Sequence, residues 1–448
     1  MSDKKLHKNV HFIGIGGISM SAIAQILINR GINVSGSDAV DSQIISHLRE
    51  MGAEIKIGHR PENIANADTV IYTAAIAADN AELMHARSLG LDVFERADFL
   101  GVLMNDYNVP IAVSGTHGKT TTTAMLSCVF VHAKCDPTVL VGGEYSLING
   151  NICIGDSKYF IFEACEYVDS FLKFNPFAAI VLNIEADHLD YFKDVDSIAN
   201  SFGKFIEKIP AGGFAVLNAD DEKVLSCAKN AACEIITFGA SGKYSASDIV
   251  IQKDGSIKFT VCYNGLKEKI KLGVKGLHNV SNALAVFATA HNVGIKPHII
   301  AQGIEKFDGI GRRFEYMGEM NGAFVYDDYA HHPTEILATL KTAKGMASGK
   351  VWCVFQPHTY TRTKAFFNEF ATALSLADNI IVTDIYAARE KDNGEISAEM
   401  LAKKIEGALY ISDFNDIVKY LKGNVEENDI VITMGAGTIT NVSKLLFL

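Results

Sequence analysis

Residues 110–123 read PIAVSGTHGKTTTT, and this stretch decides how the rest of the chain is interpreted. An apolar strand ends in a Gly-x-x-Gly turn, and a helix is predicted from Lys119 to about Ala133. The general phosphate-loop pattern GxxxxGK[ST] has glycine where this chain has Val113. The turn still offers converging N–H groups, the Lys119 cation and the Thr120 hydroxyl, and so it predicts a cradle for a polyphosphate with Mg²⁺. The alternative is that Thr121 and the threonines after it only cap a helix.

Strands and helices alternate on both sides of this turn. A chain of 448 residues is long enough for about three domains, and short β-branched runs separated by amphipathic segments predict parallel sheets with helices on their faces. The predicted fold class is therefore α/β with three tandem α/β domains. They are a Rossmann-like domain at 1–107, a central P-loop ATPase domain at 108–310 and a Rossmann-like domain at 311–448. Alternating residues at about 243–274 predict a small antiparallel sheet in the central domain.

The composition excludes several classes of function. The 41 basic and 52 acidic residues give a net charge of −11, which argues against a general nucleic-acid binder. No uncharged apolar run reaches the roughly 18 residues of a membrane span, and no membrane partner is expected. The 8 cysteines form no CxxC pair, which predicts reduced thiols and a cytoplasmic protein.

A second glycine turn, GIGGIS at 14–19, follows the first predicted strand and opens a helix. Backbone N–H groups in this setting bind a pyrophosphate, and Asp38 closes the next strand about where a dinucleotide fold holds a ribose. A nucleotide diphosphate and NAD both fit this pattern, and so does tight packing of a strand against a helix with no ligand. Because Ser19 replaces the third glycine, the turn alone does not decide among them.

Polar side chains also follow other predicted strands. Glu163 ends a buried strand and His188 follows another, and ligands of open α/β sheets collect at such strand ends. A carboxylate is an expected ligand of Mg²⁺, whereas His188 is either a second ligand or a hydrogen-bonding neighbour. The segments DDYAHHPTEI (327–336) and FQPHTYTRTK (355–364) suit contacts to anions and substrate. Arg313 precedes them, either as an arginine that reaches bound phosphates or as part of an exposed linker.

Seven segments together resemble the Mur ligases. They are GTHGKTTTT, EACEYVDSFL, NIEADHLDYF, HNVSNALA, GRRFE, DDYAHHPTEI and FQPHTYTRT, in that order along the chain. The resemblance covers essentially the whole sequence, and GTHGKT looks like that family's own phosphate loop, which lacks the leading glycine.

The resemblance implies an activity. L-Alanine would be joined to the lactoyl carboxylate of UDP-N-acetylmuramic acid, with ATP converted to ADP and phosphate, in the synthesis of peptidoglycan precursors. Mg²⁺ would be the metal, with Mn²⁺ as a substitute, and the chain would be a monomer or weak homodimer. Three alternatives stay open on the sequence. They are a sister ligase that joins a ready-made tripeptide to the same UDP-sugar, an NAD-dependent dehydrogenase, and a non-catalytic protein switched by ATP.

The resemblance also implies roles for individual residues. Those for the UDP-sugar are Gly14, Gly16, Gly17, Ile18, Ser19, Asp38 and Thr73. Those for ATP are Gly115, Thr116, His117, Gly118, Lys119, Thr120, Thr121, His278, Asn279, Asn282, Arg313 and Asp328. Thr120, Glu163 and His188 would bind metal. Lys119, His188, Arg313, His331, His358 and Arg362 would serve catalysis, with His358 and Arg362 also facing the sugar carboxylate and alanine.

Two positions depart from the family pattern. The residue after His358 is commonly Arg in Mur ligases and is Thr359 here, so another cation, Arg362 or Arg389, has to supply that contact. Ser19 stands where glycine is usual in the first turn, which weakens the diphosphate assignment there. Neither departure touches the residues implied for ATP.

Overall fold

Three sheets organise the chain. The structure is a computed structural model that describes residues 8–148, 150–189, 191–388 and 390–448. The sheets lie in residues 9–95, 109–272 and 315–434, and the predicted α/β class is confirmed. Arg389 lies outside the described residues. Within the part of the chain that is described, every helix is too short or too polar to cross a membrane.

The first sheet is parallel throughout and has the order β3-β2-β1-β4-β5. Its strands are β1 (Asn9–Ile13), β2 (Asn33–Asp38), β3 (Glu54–Ile57), β4 (Thr69–Tyr72) and β5 (Asp92–Glu95). Its helices are α1 (Ile18–Asn29), α2 (Gln43–Glu50), α3 (Ala81–Ser88) and α4 (Arg96–Leu103), with 3₁₀ turns at Pro61–Ile64 and Met104–Asp106. The chain reverses its direction of winding between β1 and β4, which is where such sheets bind ligands.

The central sheet has ten strands in the order β15-β14-β13-β12-β11-β10-β6-β9-β7-β8. Its first five strands are β6 (Val109–Ser114), β7 (Thr138–Tyr145), β8 (Gly150–Cys153), β9 (Tyr159–Glu163) and β10 (Ala178–Val181). The others are β11 (Phe214–Asn218), β12 (Glu234–Phe238), β13 (Tyr244–Ile251), β14 (Ile257–Tyr263) and β15 (Leu266–Leu272). Its helices are α5 (Lys119–His132), α6 (Val195–Ile206), α7 (Glu222–Ser226), α8 (His278–Asn292) and α9 (Pro297–Glu305), with 3₁₀ turns at Ser146–Ile148 and Tyr167–Lys173.

The predicted antiparallel strands are part of this large sheet. β13, β14 and β15 pair in antiparallel fashion, and β13 joins β12 through a parallel pair between Phe238 and Tyr244. β6, β9, β10 and β11 are parallel, so their carboxyl ends lie along one edge. Buried apolar side chains of α5 and α8 pack in one core with this sheet. The phosphate-loop turn thus begins at the end of β6, an inner strand of the ten-stranded sheet.

The third sheet has the order β16-β17-β21-β18-β19-β20 and is parallel except for the pair β16 and β17. Its strands are β16 (Glu315–Met320), β17 (Ala323–Asp328), β18 (Val351–Phe355), β19 (Asn379–Val382), β20 (Leu409–Tyr410) and β21 (Ile430–Met434). Its helices are α10 (Pro333–Met346), α11 (Tyr360–Ala365), α12 (Phe367–Leu374), α13 (Ala398–Lys404), α14 (Phe414–Asn424) and α15 (Thr440–Leu445). The sequence did not indicate β16, because EYMGEM lacks the alternation and β-branched residues typical of a strand.

A fully buried carboxylate lies under the first sheet. Glu82 accepts hydrogen bonds from the Ser37 hydroxyl at 2.5 Å, the Arg60 N–H at 3.1 Å and the Asn63 amide. His11 Nε2, itself buried, lies 3.7 Å from the same carboxylate. Burial opposes the negative charge, but the contacts of His11, Ser37 and Asn63 lower the pKa of Glu82 to about 2. This network joins β1, β2 and α3 beneath the first glycine turn.

Replacing Glu82 by glutamine should destabilise the fold by about 3 kcal/mol at pH 7, the free energy that corresponds to its pKa shift. The Ser37, Arg60 and Asn63 groups all donate, so an amide NH₂ would have to face a donor. Because the folded pKa lies below the ordinary value of 4.5, the stabilisation is complete above pH 4.5 and is lost as the pH falls through about 2. Urea unfolding at pH 7 and at lower pH measures this difference. Glu62→Gln, at an exposed position of the neighbouring 3₁₀ turn, is the control; equal effects of both variants would contradict the account.

Candidate active site

The phosphate-loop turn leaves the carboxyl end of β6 and is fixed against the end of β10. Gly115 and Gly118 have φ values of 137° and 84°, in the region that favours glycine. The Asn183 side chain accepts the His117 N–H at 2.8 Å, and its backbone carbonyl accepts the Thr116 N–H at 3.0 Å. The turn then opens α5, so the start of a helix faces the same edge of the sheet.

The Lys119 ammonium group is held in place by four oxygens. It donates to the carbonyls of Gly115 at 2.5 Å and Thr116 at 3.0 Å, and to both oxygens of Glu166 at 3.0 and 3.3 Å. The Glu166 side chain is 2% exposed. Burial penalises the charged lysine, but Glu166 outweighs that penalty and raises the pKa of Lys119 above its ordinary value. The Lys119 amine is therefore protonated at neutral pH, and it lies against the carbonyls of the turn.

Glu163 lies beside the first turn of α5, where it contacts Thr120. Its carboxylate accepts the Thr120 hydroxyl at 3.0 Å and the Gly142 N–H at 2.5 Å. A Cβ atom at position 142 would lie 2.8 Å from both carboxylate oxygens, so only glycine in β7 allows this approach. Burial raises the pKa of Glu163 above its ordinary value, although the Gly142 N–H, the Thr120 hydroxyl and the charges of Lys119 and Arg313 act against that shift. A hydroxyl and such a carboxylate are donors that Mg²⁺ prefers.

A cavity of about 920 Å³ opens between the central and C-terminal domains. Gly118 and Thr121 line one side of it, and His278, Asn279 and Asn282 at the start of α8 line another. The Asn282 amide donates to Asn279 Oδ1 at 2.9 Å, so the two side chains are held as a pair. Arg313 and Asp328 close it from the C-terminal domain. The cavity thus collects eight of the residues expected at ATP, namely His117, Gly118, Thr121, His278, Asn279, Asn282, Arg313 and Asp328.

The C-terminal contribution to the cavity is also held firmly. Asp328 accepts N–H groups of Phe314 at 3.0 Å and Ala330 at 2.7 Å, and burial raises its pKa to about 6. The Arg313 guanidinium lies 5.1 Å from the centre of the Tyr329 ring and 3.9 Å from Glu335. Since its charge faces the cavity, Arg313 is suited to an anionic ligand there.

An ion pair connects the two domains beside this cavity. Arg362 donates to Asp187 at 2.8 Å, and its charge, working against burial, lowers the pKa of Asp187 below its ordinary value. Arg362 also lies 3.2 Å from His358 Nδ1. The His331 and His358 rings are 5.8 Å apart, and burial lowers the pKa of each to about 4. Both imidazoles are therefore neutral at pH 7.

His188 adopts a left-handed backbone conformation, with φ of 52°, next to Asp187. Its ring stacks on Tyr167 at 4.5 Å and 30°, and its side chain is 23% exposed. Tyr167 directly follows Glu166, so one turn of chain contacts both the Lys119 amine and the His188 ring. Thr359 shares the left-handed conformation, with φ of 67°, and its hydroxyl caps α11 by accepting the Arg362 N–H at 3.4 Å.

The first glycine turn lies in the N-terminal domain, and its residues are not among those that line the cavity. The N–H groups of Gly14 and Ile15 donate to the Ser37 carbonyl at 2.8 and 3.0 Å, while Asp38 accepts the Gly16 N–H at 2.9 Å. Asp38 thus supports the turn itself. Gly17 caps α1, Ile18 and Ser19 form its first turn, and Thr73 N donates to the Ile13 carbonyl at 3.4 Å beside the turn. The Ile18 carbonyl accepts the Asn151 amide at 2.9 Å, which links the turn to β8.

Several residues with a clear place in the site were not assigned from the sequence. Glu166 accepts a hydrogen bond from Lys119, and the Asn183 side chain accepts the His117 N–H of the turn. The Gly142 N–H donates to Glu163, and Glu335 Oε1 lies 3.2 Å from His117 Nδ1. Glu166 lies within the motif EACEYVDSFL, and a second acid just after a buried strand was a usable signal. Glu335 lies in the motif HPTE, whose spacing resembles a capping box at a helix start. Nothing in the local sequence of Gly142 indicates its neighbour.

Three family models match the chain in succession. They are described as the Mur ligase family catalytic domain at 9–108, the Mur ligase middle domain at 113–290 and the Mur ligase glutamate ligase domain at 312–437. A curated relative named UDP-N-acetylmuramate–L-alanine ligase, from Acetivibrio thermocellus, is 51% identical over 99% of this chain and 96% of its own length.

The chain belongs to the Mur ligase family.

Solved structures of this family are similar over the whole chain. The UDP-N-acetylmuramate-alanine ligase of Thermotoga maritima has a TM-score of 0.82 and 30% identity, covering 98% of both chains. A murein peptide ligase of Psychrobacter arcticus has a TM-score of 0.73 and 26% identity, also covering 98% of both chains. The expected resemblance to Mur ligases and the three-domain α/β fold are thus confirmed.

Replacing Gly142 by alanine should push Glu163 away from Thr120, because the new methyl group would lie 2.8 Å from the carboxylate. We expect the affinity for ADP with Mg²⁺, measured by calorimetry, to fall at least about 10-fold, the effect typical of losing support for a metal ligand. Gly143→Ala is the matched control, since its Cβ would meet Ile310 and the Thr120 methyl at an ordinary 3.5 Å. Unchanged affinity in Gly142→Ala, or equal losses in both variants, would contradict the assignment.

Proposed function

We propose that this chain is an ATP-dependent ligase that joins L-alanine to the lactoyl carboxylate of UDP-N-acetylmuramic acid through an acyl phosphate. We assign the UDP-sugar to residues 1–107, ATP to 108–310 and the amino acid to 311–448. The observation that carries the proposal is the convergence of Lys119 and Arg313 on Glu163, whose pKa both charges lower against its burial, beside an interdomain cavity that Arg313 lines. Glu335 lines the same cavity and lies 3.4 Å from His331, which is neutral, as is His358. The name of the relative at 51% identity supports L-alanine as the amine.

A carboxylate does not react with an amine at neutral pH, because it repels nucleophiles and has no leaving group. Transfer of the terminal phosphoryl group of ATP forms a bond from phosphorus to a lactoyl oxygen and breaks the bond to ADP. Two anions must approach for this step, so its barrier is largely electrostatic. We assign Lys119, in the turn, and Arg313, in the cavity lining, to neutralise that charge.

The residues around Glu163 fit a magnesium ion on their own chemistry. Thr120 and Glu163 offer two oxygens beside the start of α5. Burial raises the pKa of Glu163, and a bound cation would offset the cost of burying its negative charge. When bound, Mg²⁺ supplies charge that offsets the phosphates of ATP. His188, 3.9 Å from Asp187, is our candidate for a second metal contact, and Mn²⁺ would serve in place of Mg²⁺.

The second step makes the amide bond. The alanine nitrogen attacks the acyl carbon, the bond from that carbon to the phosphate oxygen breaks, and phosphate leaves. His331 Nδ1 lies 2.9 Å from the Tyr329 carbonyl, so Nδ1–H donates there and Nε2 is left to accept the proton of the amine. Arg362 is held by Asp187 and faces His358, where a substrate carboxylate can bind it. Because Thr359 stands where the family usually has arginine, we assign the positive contact to the substrate carboxylate to Arg362.

The deciding experiment is the release of phosphate from ATP by the purified protein. We expect release only when UDP-N-acetylmuramic acid and L-alanine are both present. A tripeptide accepted in place of L-alanine would point to the recycling ligase instead. A nicotinamide absorbance change on mixing with NAD would point to a dehydrogenase. ATP turnover that needs neither substrate would contradict the proposal.

The described cysteines are all free thiols, in keeping with a reaction in the cytoplasm.

Lys119→Met should lower kcat by about 10² to 10³, the usual effect of removing one well-aimed charge donor in a transition state. The kinetic assay is the same coupled phosphate release, run at saturating ATP so that lost affinity does not dominate. Lys204→Met, at an exposed position of α6, is the control and should keep wild-type kcat. Full turnover by Lys119→Met would contradict the role of the turn.

A further inference from the structure

Three side chains that take no part in the two chemical steps above converge between the central and C-terminal domains. His117 comes from the phosphate-loop turn, Glu185 follows β10, and His332 precedes α10. One ligand atom from each lies within 4.8 Å of those of the other two. The two imidazole rings are 4.6 Å apart between centroids. We refer to His117, Glu185 and His332 as the interdomain triad.

The second nitrogen of each imidazole in the triad is already engaged. His117 Nδ1 lies 3.2 Å from Glu335 Oε1, and His332 Nε2 lies 3.0 Å from the Ala186 carbonyl. Metal-binding histidines almost always donate their other ring N–H to a carboxylate or a backbone carbonyl in this way, which fixes the tautomer. The nitrogens left to bind an ion are therefore His117 Nε2 and His332 Nδ1.

Those remaining atoms have few other partners among the described residues. His117 Nε2 is buried and makes no hydrogen bond there, and it lies 3.5 Å from Glu185 Oε2. His332 Nδ1 takes only a long contact of 3.4 Å from the Thr334 N–H. Glu185 Oε2 accepts the Thr334 hydroxyl at 2.5 Å and keeps a further lone pair. A buried nitrogen without a partner is costly, and a bound cation would remove that cost.

The carboxylates around the triad favour positive charge there: against burial, Glu335 and Glu185 raise the pKa of His117 to about 9, and a divalent cation would replace that proton. Glu185 lies within it and Glu335 directly behind His117, so two carboxylates flank two imidazoles. The Arg313 guanidinium lies 3.9 Å from Glu335, which is too long for a strong pair. Two nitrogens and one carboxylate oxygen are ligands suited to zinc, cobalt or nickel, whereas Mg²⁺ prefers oxygens alone.

We propose that His117, Glu185 and His332 bind one divalent transition-metal ion of the zinc and cobalt class at the interface of the central and C-terminal domains. This site shares no ligand with Thr120, Glu163 and His188, our candidates for Mg²⁺. Because His117 belongs to the phosphate-loop turn and His332 starts α10, a bound ion ties that turn to the C-terminal domain. It therefore restrains the opening that substrate exchange needs.

Cobalt(II) gives the test a readout independent of activity. The full-length protein, stripped with a chelator and held in excess Mg²⁺ without nucleotide, is titrated with Co²⁺ and followed by visible absorption. We expect one equivalent to give d–d bands of a low-coordinate site, without the near-ultraviolet band of cobalt bound to thiolate. A thiolate band would show that Co²⁺ binds to cysteine instead of the triad, because the described cysteines are free thiols. Zn²⁺ should displace the Co²⁺ and raise the unfolding temperature of the protein.

Two variants and one control decide the assignment. His332→Gln and Glu185→Gln should each bind Co²⁺ at least about 10-fold more weakly. Circular dichroism of each metal-free variant checks its fold. Glu185 is 36% exposed, so Glu185→Gln decides the matter if His332→Gln does not fold. His298→Gln, at an exposed position of α9, should bind as the wild type does. Absence of one-equivalent binding, a thiolate band, or equal binding by the wild type and both triad variants would overturn the proposal.

Discussion

Buried charge at the carboxyl edge of the central sheet has to be matched by an opposite charge or by a hydrogen bond. β6, β9 and β10 all end at this edge, where Lys119, Glu163 and Asp187 leave the strands or the loops after them. Lys119 is matched by Glu166 and Asp187 by Arg362, while Glu163 has only a hydroxyl and an N–H as its closest donors. An unmatched buried charge is costly, so the edge favours a bound cation at Glu163.

The same constraint explains why the site belongs to two domains. The central domain supplies the turn and the start of α5, and the C-terminal domain supplies Arg313, His331 and Arg362. Contacts across the boundary include the ion pair of Arg362 with Asp187 and hydrogen bonds such as that between His332 Nε2 and the Ala186 carbonyl. Such contacts can break and re-form without exposing a large apolar surface, which suits a cavity that must admit substrates and then exclude water. Burial also keeps His331 uncharged beside Arg362.

Local sequence was sufficient for some parts of this molecule and insufficient for others. Lys119 was predictable because the turn GTHGKT follows an apolar strand, and Glu163 because it ends one, since position after a strand fixes position at the sheet edge. Glu335 was not, since it meets His117 from 218 residues away. Hydrophobic periodicity gave the parallel sheets but missed β16, where sheet pairing overrides weak propensity. Asp38 matched a ribose-binding position, yet its carboxylate contacts Gly16, which only the turn geometry could reveal.

Oxygen transfer tests the central claim, that the turn at Lys119 presents ATP to a sugar-borne carboxylate. UDP-N-acetylmuramic acid would be labelled with oxygen-18 at both lactoyl carboxylate oxygens and converted by the purified protein with ATP and L-alanine. Mass spectrometry of the phosphate reads the result. The account predicts one labelled oxygen in each phosphate released, because the acyl phosphate breaks between carbon and oxygen. Unlabelled phosphate formed together with the amide product would contradict it.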